Sequence, residues 1–416
     1  MMHAPAKTQM QEDVQEIVPP EPDLAPNELI ARATRLRPLL RARQAECEAS
    51  GNVPQDVNDQ LIKAGFYRTV QPRRFGGYEF DIPTFYRVMM EISRGCSETA
   101  WVLALTAGHP LIAAFMSEQA QREAYSPHGE FRCPTAFNPP GLAVPVDGGY
   151  RVTGNWPSAS GIDHCTHFIT LAAVPDPAGK PTTAAVLVML KRGEFEVIDD
   201  WRVMGMQGTG SKTVAAKDLF VPAHRVAATR GIGVVTNVAL PGPRIYANPM
   251  YFGRIGSFLV GETASVATGA ARGALDLYEE VLRTKKGPLP PFPERRTDPE
   301  YQRYYGEALS LVATAEAALI RQGQDYMEFT REDAAGGAPF DVEREQRLSL
   351  IGLRCIDMAW QAIELIYRTA GTSASVKEGQ PIGRFFRNIA AIRTHPILQR
   401  DRVAMNAART RLGVTI

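Results

Sequence analysis

The sequence has no surplus of charge: 46 Lys and Arg stand against 45 Asp and Glu in 416 residues. That balance excludes the basic face that nucleic acid or an anionic membrane surface requires. Long hydrophobic runs are missing too, so no membrane span is expected. Cysteine is scarce. Cys47, Cys96, Cys133, Cys165 and Cys355 are odd in number and widely spaced, with no C-x-x-C pair, which argues against a disulfide framework and for a reduced, cytoplasmic protein. Metal-ligand spacing is lacking as well. His164 and His167 would face opposite sides of a strand and have no second ligand pair near them, so no metal is expected. Residues 1–26 carry six charges without an apolar stretch, which excludes a secretory signal and leaves a disordered lead-in as the expectation.

Two glycine-rich segments approach nucleotide motifs and miss. In Gly205–Thr213 the extra Ser211 moves Lys212 out of phosphate-loop register, and the residues that follow alternate like a strand instead of opening a helix. A flexible turn between strands is the expectation there. Gly231 and Gly233 lack the third glycine of a dinucleotide fingerprint and read as loop.

What is present divides into three textures. Over 27–128 the spacing of Leu29, Ile30, Ala33, Leu36, Leu39 and Leu40 predicts a helix ending near Gly51. A second helix runs from Gln55 to Ala64 and stops at Gly65, and a third opens at Pro83. A long apolar segment, Thr99 to Phe115, is broken at Gly108-His109-Pro110. Over 129–230 the period changes to two. Tyr150–Trp156, His167–Val174, Ala184–Leu190 and Thr213–Val221 read as short strands of a small antiparallel β-domain. Over 231–416 long helices return, at about 254–283, 300–332 and 342–370. The first is crowded with Gly, Ala and Ser, which allows close helix approach. The proline-rich segment Gly287–Pro293 must be a stiff surface connection. The predicted class is α+β, mostly α: helical domain, β-domain, helical bundle.

Candidate chemistry is sparse. His109 lies in the kink of the apolar segment, where it is either a core histidine satisfied by a backbone carbonyl or an imidazole tuned in a dry pocket. His395 precedes Pro396 and is either a capping residue or a catalytic one. Thr135, Trp156, Ser158 and Ser160 are ordinary β-domain residues unless a cofactor lies against them. Pattern alone fixes no reaction.

Longer strings carry a resemblance. Gly51–Pro54, Leu61–Arg68 and Pro72–Glu79, with Val203–Gly205 and Gly210–Pro222, are similar to the acyl-CoA dehydrogenase superfamily from about Asn27 onward. Where those dehydrogenases place their catalytic glutamate, this chain reads Arg393-Thr394-His395-Pro396-Ile397. Glu91–Trp101 followed by His109, Trp156 followed by Ser160–His164, and Arg384–Asn388 leading to His395 resemble one branch more closely. That branch comprises the group D oxygenase components of two-component flavin monooxygenases, of the 4-hydroxyphenylacetate 3-hydroxylase type.

The resemblance implies reduced FMN or FAD as cofactor, received from a separate NAD(P)H-dependent flavin reductase. It implies O2 addition to give a flavin 4a-hydroperoxide, and hydroxylation of a small aromatic, phenolic substrate. A homotetramer is implied too. Ser160 would lie at the flavin N5 edge, Thr135 would face flavin and substrate, and Trp156 would stack on the cofactor. His109 and His395 would line the substrate cavity, one as base and the other orienting the substrate or keeping the peroxide protonated. Competing readings are an acyl-CoA dehydrogenase with a relocated base such as Glu262, an N- or S-oxygenating monooxygenase, and a ligand-binding protein without turnover.

Overall fold

In the computed structural model, residues 16–180, 182–229 and 245–414 are described. The expectations for residues 1–15 of the lead-in and for the loop at Gly231 and Gly233 lie outside them.

Helices α1 (Pro26–Ser50), α2 (Gln55–Lys63), α3 (Ile82–Gly95), α4 (Ser97–Ala107), α5 (Pro110–Ala113) and α6 (Glu118–Tyr125) precede the sheet. Their ends follow local chemistry. Gly51 closes α1 in the left-handed region, and the Asp81 carboxylate caps α3 by accepting from the Thr84 N–H. Pro110 restarts the chain as α5 after the break at Gly108-His109.

The sheet comprises β1 (Thr135–Val146), β2 (Gly149–Ala159), β3 (His167–Ala173), β4 (Ala185–Lys191), β5 (Glu196–Ile198), β6 (Lys212–Pro222) and β7 (Val226–Thr229). Their spatial order is β5-β6-β2-β1-β3-β4-β7. The expected antiparallel sheet is in fact mixed, because β1 and β3 run parallel. The chain forms the β1–β2 hairpin, then turns through Ser160–Thr166 and returns along the free edge of β1, which makes that pair parallel. β1 escapes a sequence reading because Pro139, Pro140 and Pro145 interrupt it.

The runs Phe168–Ile169 and Leu171–Ala173 of β3 and Ala185–Leu190 of β4 are continuously apolar because both faces are covered. Phe168 and Ala172 with Val186, Val188 and Leu190 enter a small core within the sheet. Ile169 and Leu171 with Leu187 and Met189 join the large helical core.

After the sheet come α7 (Ile255–Thr284), α8 (Pro299–Ala334), α9 (Val342–Ala370), α10 (Thr372–Ser375), α11 (Pro381–Ile392) and α12 (Arg400–Arg411). α7 is the central helix, packed on α3, α4, α8, α9 and α11. Its small residues let neighbours close in: a Cβ on Gly269 would stand 2.4 Å from the Met90 carbonyl oxygen of α3. No described helix is long and apolar enough to cross a membrane.

Candidate functional site

The junction between helices and sheet is pinned by the connection from β5 to β6. This Gly205–Ser211 segment is packed, contrary to the flexible turn expected. The Asn388 side chain of α11 accepts from the Met206 N–H at 2.7 Å and donates to Ser97 Oγ at 2.9 Å. Buried Glu98 of α4 accepts the Gly208 N–H at 2.8 Å, and burial lifts its pKa to about 8. Below the segment, the Cys47 and Cys96 thiols and the Glu98 carboxyl lie within 4.8 Å of one another. All five cysteines are buried and free.

A chain of buried donors runs across this junction. Trp101 Nε1 donates to Ser160 Oγ at 2.9 Å, Ser160 and Ser211 hydroxyls are 2.7 Å apart, and Ser211 and Thr209 hydroxyls are 2.6 Å apart. Thr209 donates to the Met206 carbonyl at 2.8 Å. One hydrogen per hydroxyl then sets every direction. Thr209 has spent its hydrogen, so Ser211 donates to Thr209, and Ser160 donates to Ser211. Ser160, with the Trp101 hydrogen already received, keeps one lone pair and no hydrogen to offer.

His395 caps the turn after α11. Its Nδ1 accepts from the Ile397 N–H at 3.4 Å, and its half-buried ring meets Trp101 edge-on at 5.6 Å. Burial lowers its pKa to about 4, so the imidazole is neutral, with the hydrogen on Nε2.

Two turns along α4 from Trp101, His109 sits in the kink with 1% exposure. Its Nδ1 lies 2.8 Å from the Cys133 carbonyl, which can only accept, so Nδ1 carries the hydrogen and Nε2 the lone pair. Burial again brings its pKa to about 4. Nε2 has no hydrogen-bond partner and stands 3.8 Å from Glu262 Oε1 of α7.

Ser160, His395 and, through the Cys133 strap, His109 with Thr135 therefore gather around α4. Thr135 opens β1 and is half-buried. Trp156 does not join them. Its ring is fully buried in the small sheet core against Phe168, and its N–H donates to the Leu171 carbonyl at 3.1 Å.

The family model for the acyl-CoA dehydrogenase N-terminal domain matches residues 33–128, and that for the C-terminal domain matches residues 262–400. The chain belongs to the acyl-CoA dehydrogenase family. Within it, the chain is 29% identical over 385 residues to the flavin-dependent monooxygenase, oxygenase subunit HsaA, of Rhodococcus jostii, covering 92% of this chain and 98% of that one. It is 28% identical over 394 residues to the FADH2-dependent resorcinol hydroxylase, oxygenase component, of Rhizobium sp., covering 93% and 94%. Among solved structures, 3-HSA hydroxylase from Rhodococcus sp. RHA1 superposes with a TM-score of 0.85 at 28% identity, over 94% of this chain and 98% of that one.

The residues present fit the reduced form of a flavin, the cofactor for which the HsaA and resorcinol hydroxylase relatives are named. Reduced isoalloxazine offers N5–H as a donor, and the lone pair left on Ser160 is an acceptor. Sequence reasoning passed over Trp101, Thr209 and Ser211 as parts of the site, although Trp101 and Ser211 lie in the segments that carry the resemblance. Glu262 entered only as a substitute base. Its signal was available: it is the only acidic residue between Ile255 and Leu275 of a helix crowded there with small residues.

Proposed function

We propose that this chain is the oxygenase component of a two-component flavin-dependent monooxygenase that hydroxylates a phenolic compound. The observation that carries the reading is the directed chain Trp101–Ser160–Ser211–Thr209, which makes Ser160 an acceptor at the helix–sheet junction. Bound reduced FMN or FAD, with dioxygen, supplies an electrophilic oxygen atom. Ser160 would hold the hydrogen on N5 of that cofactor, and Thr135 would border the same space.

His109 accepts the substrate hydroxyl through Nε2, the ring atom left free by the Cys133 carbonyl. As the aromatic ring gives up electron density its hydroxyl becomes more acidic, and the proton passes to Nε2. His395 presents Nε2–H, a donor that would steady the oxygen to be transferred. Burial of the His109 ring keeps bulk water from its nitrogen. Trp156 supports the site from within the sheet core.

Electrons come from an NAD(P)H-dependent flavin reductase. The described strands are joined by hairpins, loops and short 3-10 turns, with no βαβ unit to hold a nicotinamide. A homotetramer completes the reading, with the apolar groove of Ala318, Leu350, Ile351, Met358 and Ala407 on α8, α9 and α12 as surface for subunit contact. The unpaired thiols suit a cytoplasmic location.

The test is to mix anaerobic protein with reduced FMN or FAD, add oxygen and a series of phenols, and quantify hydroxylated product against hydrogen peroxide. Oxygen inserted into a phenol is expected, with His109→Asn slowing insertion by roughly 10²–10⁴-fold while flavin still binds. Insertion into nitrogen or sulfur substrates that is indifferent to His109 would redirect the reading. Bleaching of oxidised flavin by an acyl-CoA would overturn it.

A further inference from the structure

Three buried polar atoms converge between α4 and α7 with nothing to bond. They are His109 Nε2 and both carboxyl oxygens of Glu262, on side chains 1% and 0% exposed. Buried polar groups left unsatisfied are rare in folded proteins, and several meeting at one point mark a place where a ligand or water belongs. Nε2 and Oε1 are 3.8 Å apart, too far to bond each other. That spacing is compatible with one oxygen at about 2.8 Å from both.

The protonation of the two groups is complementary. Nε2 carries a lone pair because Nδ1–H is held by Cys133. Glu262 has no cation against it. Its neighbours are His109, the buried phenol of Tyr86, the Phe258 ring and the backbone of Gly108, and burial drives its pKa well above the carboxylate range. It therefore stands as a carboxylic acid with a hydrogen to donate. A hydroxyl oxygen seated between them would donate to Nε2 and accept from the Glu262 carboxyl, using one hydrogen and one lone pair.

We propose that Glu262 is a substrate-binding residue, a neutral carboxylic acid that with His109 forms a two-point receptor for the substrate's hydroxyl. This rests on the monooxygenase reading and deepens it, because the receptor selects phenols over their ethers. An ether oxygen has no hydrogen for Nε2 and would bury that lone pair unpaired. As the proton moves to Nε2, the Glu262 hydrogen bond strengthens toward the growing negative charge on oxygen. Gly108 provides the space for this: a Cβ there would come within 2.7 Å of Glu262 Oε1.

The test measures equilibrium binding of a panel of para-substituted phenols and their methyl ethers to the full-length protein with reduced flavin under anaerobic conditions. Wild type should bind the tightest phenol at least tenfold better than its ether. Glu262→Gln, an uncharged isostere with N–H donors, should keep most of that preference. Glu262→Leu should reduce it to near unity. Anaerobic binding of reduced flavin by the wild-type protein without substrate is measured separately, and that result tests the flavin reading alone. A phenol-to-ether ratio in Glu262→Leu equal to wild type would overturn the proposal and assign the cleft to water. Binding of no phenol by wild type would overturn it as well. If Glu262→Leu does not fold, the ratio in Glu262→Gln and Gly108→Ala decides. The crowded Gly108→Ala must lose preference, and a retained one refutes the receptor.

Discussion

Replacing His109 with glutamine should flatten the acid side of the protein's stability profile. The imidazole is buried to 1% exposure, and burial brings its pKa from 6.5 to about 4. The unfolded chain therefore takes up this proton first as pH falls. A depressed histidine contributes stability that is present above the unfolded pKa near 6.5 and is lost as pH drops toward the folded value. With 1.36 kcal/mol for each pKa unit, the full loss is about 3 kcal/mol, of which about 2 kcal/mol falls between pH 7.5 and pH 5.0. Glutamine takes up no proton, and its amide can still donate to the Cys133 carbonyl. Urea titrations of both proteins at the two pH values, at one salt and protein concentration, measure the difference directly. His164, His167 and His395 also have lowered pKa values, but they act alike in both proteins. Glu262, whose pKa is raised, carries the opposite slope and is likewise common to both. Wild type should lose about 2 kcal/mol more than His109→Gln on acidification. Parallel losses would refute a buried neutral imidazole at this position.

Gly205→Ala should destabilise the protein by about 1–3 kcal/mol, because its Cβ would stand 2.2 Å from the Arg387 carbonyl oxygen and neither backbone can yield freely. A shift in the urea midpoint checks it. Trp101→Phe removes the hydrogen received by Ser160 and should cost about 1 kcal/mol in unfolding, with weaker binding of reduced flavin measured anaerobically. Arg384→Met breaks the 2.6 Å pair with Glu48 across α1 and α11. Arg387 still contacts that carboxylate, so the loss in chemical denaturation should be about 2 kcal/mol rather than the 3–5 typical of a fully broken buried pair.

Elements with strong periodicity were legible early. α1 ends at the glycine that marks it, and α9 spans Val342–Ala370 before Gly371, because caps and apolar spacing are local properties. β5 and β7 are too short to show a period, and β1 is masked by its prolines. The Gly205–Ser211 segment looked loose because glycine and hydroxyl residues describe turns. The contacts that pack it come from Glu98 and Asn388, one before it and one far after it in the chain. Trp156 was read as a stacking residue, yet strand alternation turns its ring into the sheet's own core.

On its own, the sequence determined the order of helices, strands and helices and the break that sets His109 at a kink. Those follow from residue type and spacing along the chain. Tertiary structure alone decided which nitrogen of each imidazole is free, which way the hydroxyl chain points, and that Glu262 stands uncharged beside His109. Each depends on a partner from a distant segment, and the direction of a hydrogen bond and the cost of a buried charge exist only once those segments meet.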